Sequence, residues 1–133
     1  MSVQITAYDH VALRVTESKR ALDFYAELGF NIDPEFSTEC VAEIANPAGV
    51  RMNLIFNGVA RPDSVLLDEP RRWPGYTHAS FIVDDLCTIL NWAAKKGVAI
   101  TEGPMDLGRR LTCFLRDPDG NVLEFNELKP SLG

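Results

Sequence analysis

Two histidines and a glutamate are the residues of this sequence whose side chains could do metal chemistry. The chain has only two histidines, His10 and His78, and each begins a stretch of alternating apolar residues typical of a β-strand. Glu124 lies in another such stretch. Two imidazoles and one carboxylate suit divalent Ni, Co, Mn, Fe or Zn, and three protein ligands leave positions open for a substrate. Taken singly, a histidine at a strand start is more often structural and a glutamate in a strand is usually exposed. Whether these three residues form a metal site therefore depends on where the fold places them.

An internal repeat places the two histidines at the same point of two similar modules. The same number of residues separates His10 from Gly29 and His78 from Gly97, and the segment between them has the apolar pattern of a helix both times. Each glycine lies where a left-handed C-cap would end that helix. The helices are predicted at 18–29 and 85–97.

The second halves of the two modules repeat as well. Asn46-Pro47-Ala48-Gly49 and Asp117-Pro118-Asp119-Gly120 are turn signals, and each precedes a predicted strand. Asn53 and Glu124 follow their turn glycines at the same distance. Two further strands fit into each module, at 29–34 and 39–46 in the first and at 98–103 and 111–117 in the second. Each module is therefore predicted to be βαβββ, which places the chain in the α+β class.

The modules give the domain organisation. The first module covers 1–56, a linker 57–76, and the second module 77–133, and together they form one domain. Prolines at positions 62, 70 and 74 disfavour a regular helix or a central strand in the linker. A length of 133 residues and a hydrophobic content of 46% suit a single globular domain with an ample core.

The alternation of side chains along the predicted strands places the polar candidates on one face. Successive residues of a strand point to opposite faces, so the apolar positions cover the helix while the polar ones face away. The residues that share the polar face are His10, Asn53, His78 and Glu124. We expect that face to line a concave sheet.

Arginines accompany these candidates. Arg14 and Arg51 share the polar face by the same parity, and they could hold a substrate carboxylate or phosphate or form a structural ion pair. Arg109 and Arg110 precede the strand at 111–117 and are interpreted as solvated charge.

Charge and cysteine content exclude several functions. A net charge of -6 and a pI near 4.8 argue against a nucleic-acid partner, which needs clustered Lys and Arg. The sequence has neither a secretory signal pattern nor an apolar stretch of transmembrane length, so we expect a cytoplasmic protein without a membrane partner. The three cysteines form no C-x-x-C pair and are interpreted as reduced, mostly packed thiols. They are Cys40, Cys87 and Cys113.

The sequence resembles the vicinal oxygen chelate superfamily over nearly its whole length, Thr6 to Leu128. This superfamily includes glyoxalase I, methylmalonyl-CoA epimerase, extradiol dioxygenases, and fosfomycin- and bleomycin-resistance proteins. The motifs that carry the resemblance are Asp9-His10-Val11-Ala12-Leu13, Ala21-x-x-Phe24-Tyr25-x-x-Leu28-Gly29-Phe30, His78-Ala79-Ser80-Phe81-x-Val83-Asp84-Asp85-Leu86 and Arg116-Asp117-Pro118-Asp119-Gly120-Asn121-x-x-Glu124.

The resemblance implies a glyoxalase-like fold of two βαβββ modules. Their mixed, curved sheets would form a half-barrel cleft that is completed in a homodimer. The superfamily's four ligand positions fall on His10, Asn53, His78 and Glu124. In glyoxalase I the second position is an acid, whereas the epimerases have an amide there, as this chain does. The loop 103–111 lacks the serine- and glycine-rich run expected of the fosfomycin enzymes.

The resemblance also implies a function. The first hypothesis is a metal-dependent lyase or isomerase, similar to lactoylglutathione lyase, that binds vicinal oxygens of a small-molecule substrate. Glu124 and His10 would then be the catalytic residues, and Asn53 a weak ligand that cannot take a proton. Two alternatives remain open: a non-haem Fe(II) dioxygenase, which also uses two His and one carboxylate, and a metal-free drug-binding protein of the bleomycin-resistance type.

Overall fold

The repeat predicted from the sequence is present as two similar folding units. The computed structural model describes residues 2–60 and 68–130, so residues 61–67 of the predicted linker lie outside the described residues. The chain divides into the units Met1–Ala60 and Arg61–Gly133. Within its described residues, each unit has one four-stranded mixed sheet and one α-helix. The α+β class and the two βαβββ modules are therefore confirmed.

The first unit forms its sheet in the order β1-β4-β3-β2. Strand β1 runs parallel to β4, and the other neighbours are antiparallel. The elements are β1 (Val11–Arg14), α1 (Ser18–Glu27), β2 (Asn31–Ile32), a 3₁₀ turn (Pro34–Phe36), β3 (Val41–Ala45) and β4 (Arg51–Ile55).

The second unit repeats this topology with the order β5-β8-β7-β6, in which β5 is parallel to β8. Its helix contacts β7 and β8, as predicted for the apolar face of the sheet. No helix in the described part of the chain is long and apolar enough to cross a membrane. The elements are β5 (Ala79–Ile82), α2 (Leu86–Lys96), β6 (Ile100–Asp106), β7 (Arg110–Arg116) and β8 (Val122–Leu128).

Local interactions explain where the helices and turns lie. The carboxylate of Asp85 accepts a hydrogen bond from the Cys87 amide and so caps the start of α2. Gly97 ends α2 in the left-handed region, with φ of 72°, which confirms the predicted C-cap. Gly49 and Gly120 both close their turns at positive φ, 86° and 87°, a backbone conformation that other residues rarely adopt.

Two strands differ from their predicted lengths. The strand expected at 29–34 shrinks to β2, because Asp33 accepts a hydrogen bond from the Glu35 amide and Pro34 opens a 3₁₀ turn there. The strand expected at 98–103 continues to Asp106. Its pairing with β7 shifts register before and after Glu102, and such an irregularity lets a strand contain Pro104.

Burial follows the predicted alternation in the first unit. On β4, Met52 and Leu54 are fully buried, whereas Asn53 between them is only partly buried. The second unit departs from this pattern, because residues 122–126 of β8 are all buried, on both faces of the strand. A polar residue in this strand therefore needs partners, since an unpaired buried polar group is destabilising.

The cysteines correct one expectation from the sequence. Cys113 is fully buried, but Cys40 and Cys87 are exposed, so the thiols are not mostly packed. Burial raises the pKa of the Cys113 thiol above its ordinary value. Its reactive thiolate form is therefore scarcer at any given pH below that pKa.

We expect native protein at neutral pH to react promptly with a thiol reagent at Cys40 and Cys87 and slowly at Cys113. Denaturant should release the third thiol, which a colorimetric thiol titration would count. The Cys113→Ala variant is the control and should lose the slow phase. Prompt reaction of all three thiols in the native protein would show that Cys113 is not buried.

Candidate metal centre

In the first unit, the fold brings His10 and Asn53 together. Ala12 of β1 is directly opposite Asn53 of β4 in the parallel ladder, and His10 precedes Ala12 on the same face. His10 Nε2 is 3.3 Å from Asn53 Nδ2. Asn53 Oδ1 is buried and has no hydrogen-bond partner among the described residues, so it is a free acceptor. We call these two residues the His10 pair.

Asp9 favours one tautomer of the neutral His10 ring. The Asp9 carboxylate lies 2.5 Å from His10 Nδ1. Because a carboxylate accepts, the ring proton is assigned to Nδ1, and Nε2 keeps the lone pair that accepts from Asn53. A carboxylate behind an imidazole is the usual support of a metal-ligating histidine. Nε2 is therefore the ring nitrogen of His10 that could face a metal ion.

In the second unit, the fold brings His78 and Glu124 together in the equivalent way. Ser80 of β5 is opposite Glu124 of β8, and His78 precedes Ser80 on the same face. His78 Nε2 is 3.4 Å from Glu124 Oε2. The other ring nitrogen, Nδ1, is 2.9 Å from Thr77 Oγ1, and the ring packs edge-on against Phe114. We call His78 and Glu124 the His78 pair.

Glu124 is not an exposed strand glutamate, since its side chain is only 8% exposed. Ser80 Oγ donates a 2.5 Å hydrogen bond to its Oε2. Arg110 Nη2 lies 3.9 Å from its Oε1. A buried carboxylate is stabilised by such donors and cations, and a bound metal ion would act in the same sense.

Arg110 is not the solvated charge that was expected from the sequence. It is only partly exposed and lies beside Glu124, and its Nε is buried without a hydrogen-bond partner in residues 2–60 and 68–130. One weak signal for this position is visible in the sequence, namely a basic residue that begins a strand next to the polar face. The distance to Glu124 depends on the pairing of β7 with β8, which the sequence does not show.

Arg51 and Arg14, predicted as substrate residues, have protein partners. The Arg51 guanidinium binds Glu43 at 2.7 Å and Asp33 at 3.0 Å. Hydrogen bonds to Asp33 and then Glu43 raise the Arg51 pKa above its ordinary value. This arrangement is the structural ion pair left open for Arg51, and a substrate anion would compete with two carboxylates. Arg14 Nε donates to Asn57 Oδ1 at 2.8 Å.

The two pairs offer donor atoms of the kind that a divalent metal needs. They present two imidazole nitrogens, one carboxylate and one unpartnered amide oxygen, and these donors suit a first-row transition metal. Across residues 2–60 and 68–130, no group of three or more His, Cys, Asp or Glu side chains is already arranged to hold an ion. The chemistry of the donors in each pair fits a metal ion.

Comparisons with known proteins find relatives in sequence and in fold. Residues 7–125 match the family model of the Glyoxalase/Bleomycin resistance protein/Dioxygenase superfamily. Lactoylglutathione lyase from Neisseria meningitidis, serogroups A and B, is 28% identical over 131 residues, which cover 90% of this chain and 89% of that protein.

Solved structures support the same fold. A glyoxalase/dioxygenase from Nostoc punctiforme superposes with a TM-score of 0.74 at 19% identity, covering 97% of this chain and 100% of that one. An antibiotic-binding protein from a Streptomyces species gives a TM-score of 0.69 at 22% identity, covering 96% of this chain and 100% of that one. The chain therefore belongs to the Glyoxalase/Bleomycin resistance protein/Dioxygenase superfamily.

Proposed function

We propose that the chain is a metal-dependent enzyme of the glyoxalase type, a lyase or isomerase similar to lactoylglutathione lyase. Members of this superfamily bind small-molecule substrates and commonly use divalent metals. The observation that carries the proposal is the buried carboxylate of Glu124 beside His78 Nε2 at 3.4 Å. A buried carboxylate next to an imidazole nitrogen provides two strong donors for a divalent ion.

The proposed ligands are His10, His78 and Glu124, with Asn53 as a weaker fourth. Asp9 lies against His10 Nδ1 and so leaves Nε2 as the nitrogen open to a metal ion, and Asn53 Oδ1 is an acceptor without a partner among the described residues. We further propose, as the resemblance implies, that the chain acts as a homodimer. The metal is Ni, Co, Mn, Fe or Zn, since all of them accept this donor set.

The protein's own residues would divide the chemistry between them. When bound, a divalent ion would act as a Lewis acid toward adjacent oxygens of the substrate. Glu124 is the only carboxylate among the four positions, so it is the proposed proton acceptor near the substrate carbon. Asn53 can donate or accept a hydrogen bond, but it has no useful proton affinity near neutral pH. A reaction with one carboxylate base is therefore proposed, and Arg110 beside Glu124 would favour a substrate with negative charge.

The lyase activity can be tested with the hemithioacetal of glutathione and methylglyoxal. Chelator-treated protein should be inactive, and one of the five metals should restore thioester formation, measured by absorbance. Glu124→Gln should be inactive, because it keeps the shape of the side chain but removes both the negative charge of the proposed ligand and its proton affinity. Failure of every metal to support turnover would contradict this substrate assignment, and equal rates with and without metal would contradict metal dependence.

A second candidate function is a non-haem Fe(II) dioxygenase. The neutral Asn53 leaves two imidazoles and one carboxylate as the strong donors, the set that such oxygenases use. If the iron-loaded protein consumes oxygen with a vicinal diol while the hemithioacetal is left unchanged, the dioxygenase replaces the lyase.

Asn53 gives a prediction of its own. We expect Asn53→Glu to tighten metal binding by on the order of tenfold, about 1.4 kcal/mol, because an anionic oxygen replaces a neutral one. Isothermal titration of chelator-treated protein would measure the change. Asn31→Glu, which adds the same charge at an exposed position of β2, should leave the Kd unchanged. An unaltered Kd in Asn53→Glu would mean that Asn53 does not lie at the metal.

A further inference from the structure

We propose that Ser80, backed by Asn126 and Thr112, is a positioning residue that fixes the Glu124 carboxylate for metal binding. The inference rests on the proposed function, since it concerns how the second unit prepares one of the proposed ligands. It assigns roles to three residues that do not contact the metal themselves.

The four side chains form a continuous hydrogen-bonded chain across three strands of one sheet. Thr112 Oγ1 on β7 is 2.7 Å from Asn126 Oδ1 on β8. Asn126 Nδ2 is 2.7 Å from Ser80 Oγ on β5. Ser80 Oγ is 2.5 Å from Glu124 Oε2, back on β8. We call this set the Thr112–Glu124 chain.

The direction of every proton in the Thr112–Glu124 chain follows from one backbone contact. Asn126 Nδ2 lies 3.1 Å from the Phe81 carbonyl oxygen, which can only accept, so this end of the amide must be the NH₂ group. The opposite end is then the amide oxygen, and the Thr112 hydroxyl must donate to it. Ser80 Oγ accepts from Asn126, which leaves its own proton for Glu124 Oε2.

This directionality determines what Glu124 can offer. Oε2 accepts from Ser80, and the bond fixes the rotation of the carboxyl group about its last side-chain torsion. Oε2 also lies 3.4 Å from His78 Nε2, and Oε1 lies 3.9 Å from Arg110 Nη2. A ligand held by such a second hydrogen bond loses less side-chain freedom when the ion binds.

Burial makes the arrangement rigid. Thr112, Asn126 and Glu124 are 0%, 4% and 6% exposed, so water cannot readily replace a lost partner. Ser80, which links Asn126 to Glu124, is the exposed member of the Thr112–Glu124 chain. Removing its hydroxyl therefore loosens Glu124 without opening a cavity in the core.

The first unit serves as an internal comparison. The strand pairings make Ala12 the equivalent of Ser80, Ile55 the equivalent of Asn126, and Val41 the equivalent of Thr112. All three equivalents are apolar, and the ligand position of that unit carries Asn53, which has no charge. Among the described strands, the Thr112–Glu124 chain thus occurs in the unit whose ligand position is a carboxylate, Glu124.

Ser80 could instead serve only to hold the strands together. Measurements of stability and of metal affinity distinguish this structural role from the positioning of Glu124. Bonds that only hold β5, β7 and β8 together would affect unfolding and leave metal affinity unchanged. The test compares Ser80→Ala, which removes the hydroxyl, with Ser80→Thr, which keeps it. Thr101→Ala, which removes an exposed hydroxyl from β6, is the matched control.

Each chelator-treated protein is titrated with Co²⁺ and with Zn²⁺ by calorimetry, and its metal-free unfolding is followed in urea. We expect Ser80→Ala to bind both ions about 10–100-fold more weakly, the usual effect of losing a supporting hydrogen bond to a ligand. Ser80→Thr should stay within a few-fold of wild type, and Thr101→Ala should equal it. In ¹⁵N-labelled protein, Zn²⁺ should shift the Asn126 side-chain amide signals of wild type but not those of Ser80→Ala.

The outcomes separate this inference from the proposed function. Equal affinity in wild type and Ser80→Ala would overturn the positioning role and leave the metal site intact. Weaker binding in Ser80→Ala and Ser80→Thr alike, together with a lower urea midpoint in both, would also overturn it in favour of a structural role. If wild type binds neither Co²⁺ nor Zn²⁺ at saturating concentration, both the inference and the proposed site for these ions are overturned. In the first two outcomes, by contrast, wild type still binds metal.

Discussion

The His10→Ala and His78→Ala variants are each expected to bind divalent metal about a hundredfold more weakly than wild type. Protein metal sites bind with roughly 10–16 kcal/mol over about four ligands, so one lost imidazole should cost about 3 kcal/mol. The proposed ligand atom is Nε2 in both rings. Asp9 holds the proton of His10 on Nδ1, and Thr77 contacts Nδ1 of His78. Metal retained after dialysis, measured by mass spectrometry, would report the loss.

Matched controls lie two positions before each histidine. Tyr8 and Tyr76 are exposed aromatic residues, 82% and 97% accessible, so Tyr8→Ala and Tyr76→Ala remove a ring at the same points of the repeat. Both variants should bind metal as wild type does. Undiminished binding in either histidine variant would remove that histidine from the proposed site.

The same two variants test the proposed homodimer. If each site takes one histidine from each subunit, a mixed dimer of His10→Ala and His78→Ala chains has one site with both histidines intact. Subunit exchange between equal amounts of the two variants should then restore one intact site per heterodimer, which is about a quarter of the wild-type metal binding when half of the dimers are mixed. If binding stays absent after exchange has been verified by mass, the sites are not shared between subunits.

Leu123→Ala is expected to destabilise the second unit by about 2–5 kcal/mol, the usual range for a buried leucine. Leu123 is fully buried on β8, on the face opposite its neighbour Glu124. The loss combines the transfer of the side chain from water with the cavity that it would leave. In urea, with m of about 1–3 kcal/mol per M, the midpoint should fall by roughly 1–2 M.

Leu128→Ala on the same strand is the control for this substitution. Leu128 is 46% exposed, so its truncation should change the unfolding free energy by no more than about 1 kcal/mol. Similar midpoints for the two variants would contradict the placement of Leu123 in the core.

The sequence predicted the fold well because the fold is a repeat of local signals. The position that ends α2 requires a left-handed backbone, which Gly97 adopts readily, and Gly49 and Gly120 mark equivalent turns. Such signals depend on neighbouring residues alone, so they can be read from spacing. The strand after α1 was predicted too long, because the interaction of Asp33 with the Glu35 amide competes with the ladder.

The candidate site was less accessible to sequence reasoning. The alternation of side chains predicted that His10, Asn53, His78 and Glu124 share the polar face. Within the first unit the fold brings His10 to Asn53, and within the second it brings His78 to Glu124. That they bind a metal remains a prediction. The contact between Ser80 and Glu124 depends on strand register over a long stretch of sequence, which spacing does not reveal. The ion pairs of Arg51 also depend on which strands are neighbours.

The most direct test of the central claim is the metal content of the wild-type protein. Chelator-treated protein would be dialysed to equilibrium against each of Ni, Co, Mn, Fe(II) and Zn, and the bound metal measured by mass spectrometry, with Glu124→Gln in parallel. A site formed by His10, His78 and Glu124 predicts stoichiometric binding of at least one of these ions to wild type and a large loss in Glu124→Gln. If wild type binds none of them stoichiometrically at saturating concentration, the chain is not a metal-dependent enzyme of this kind.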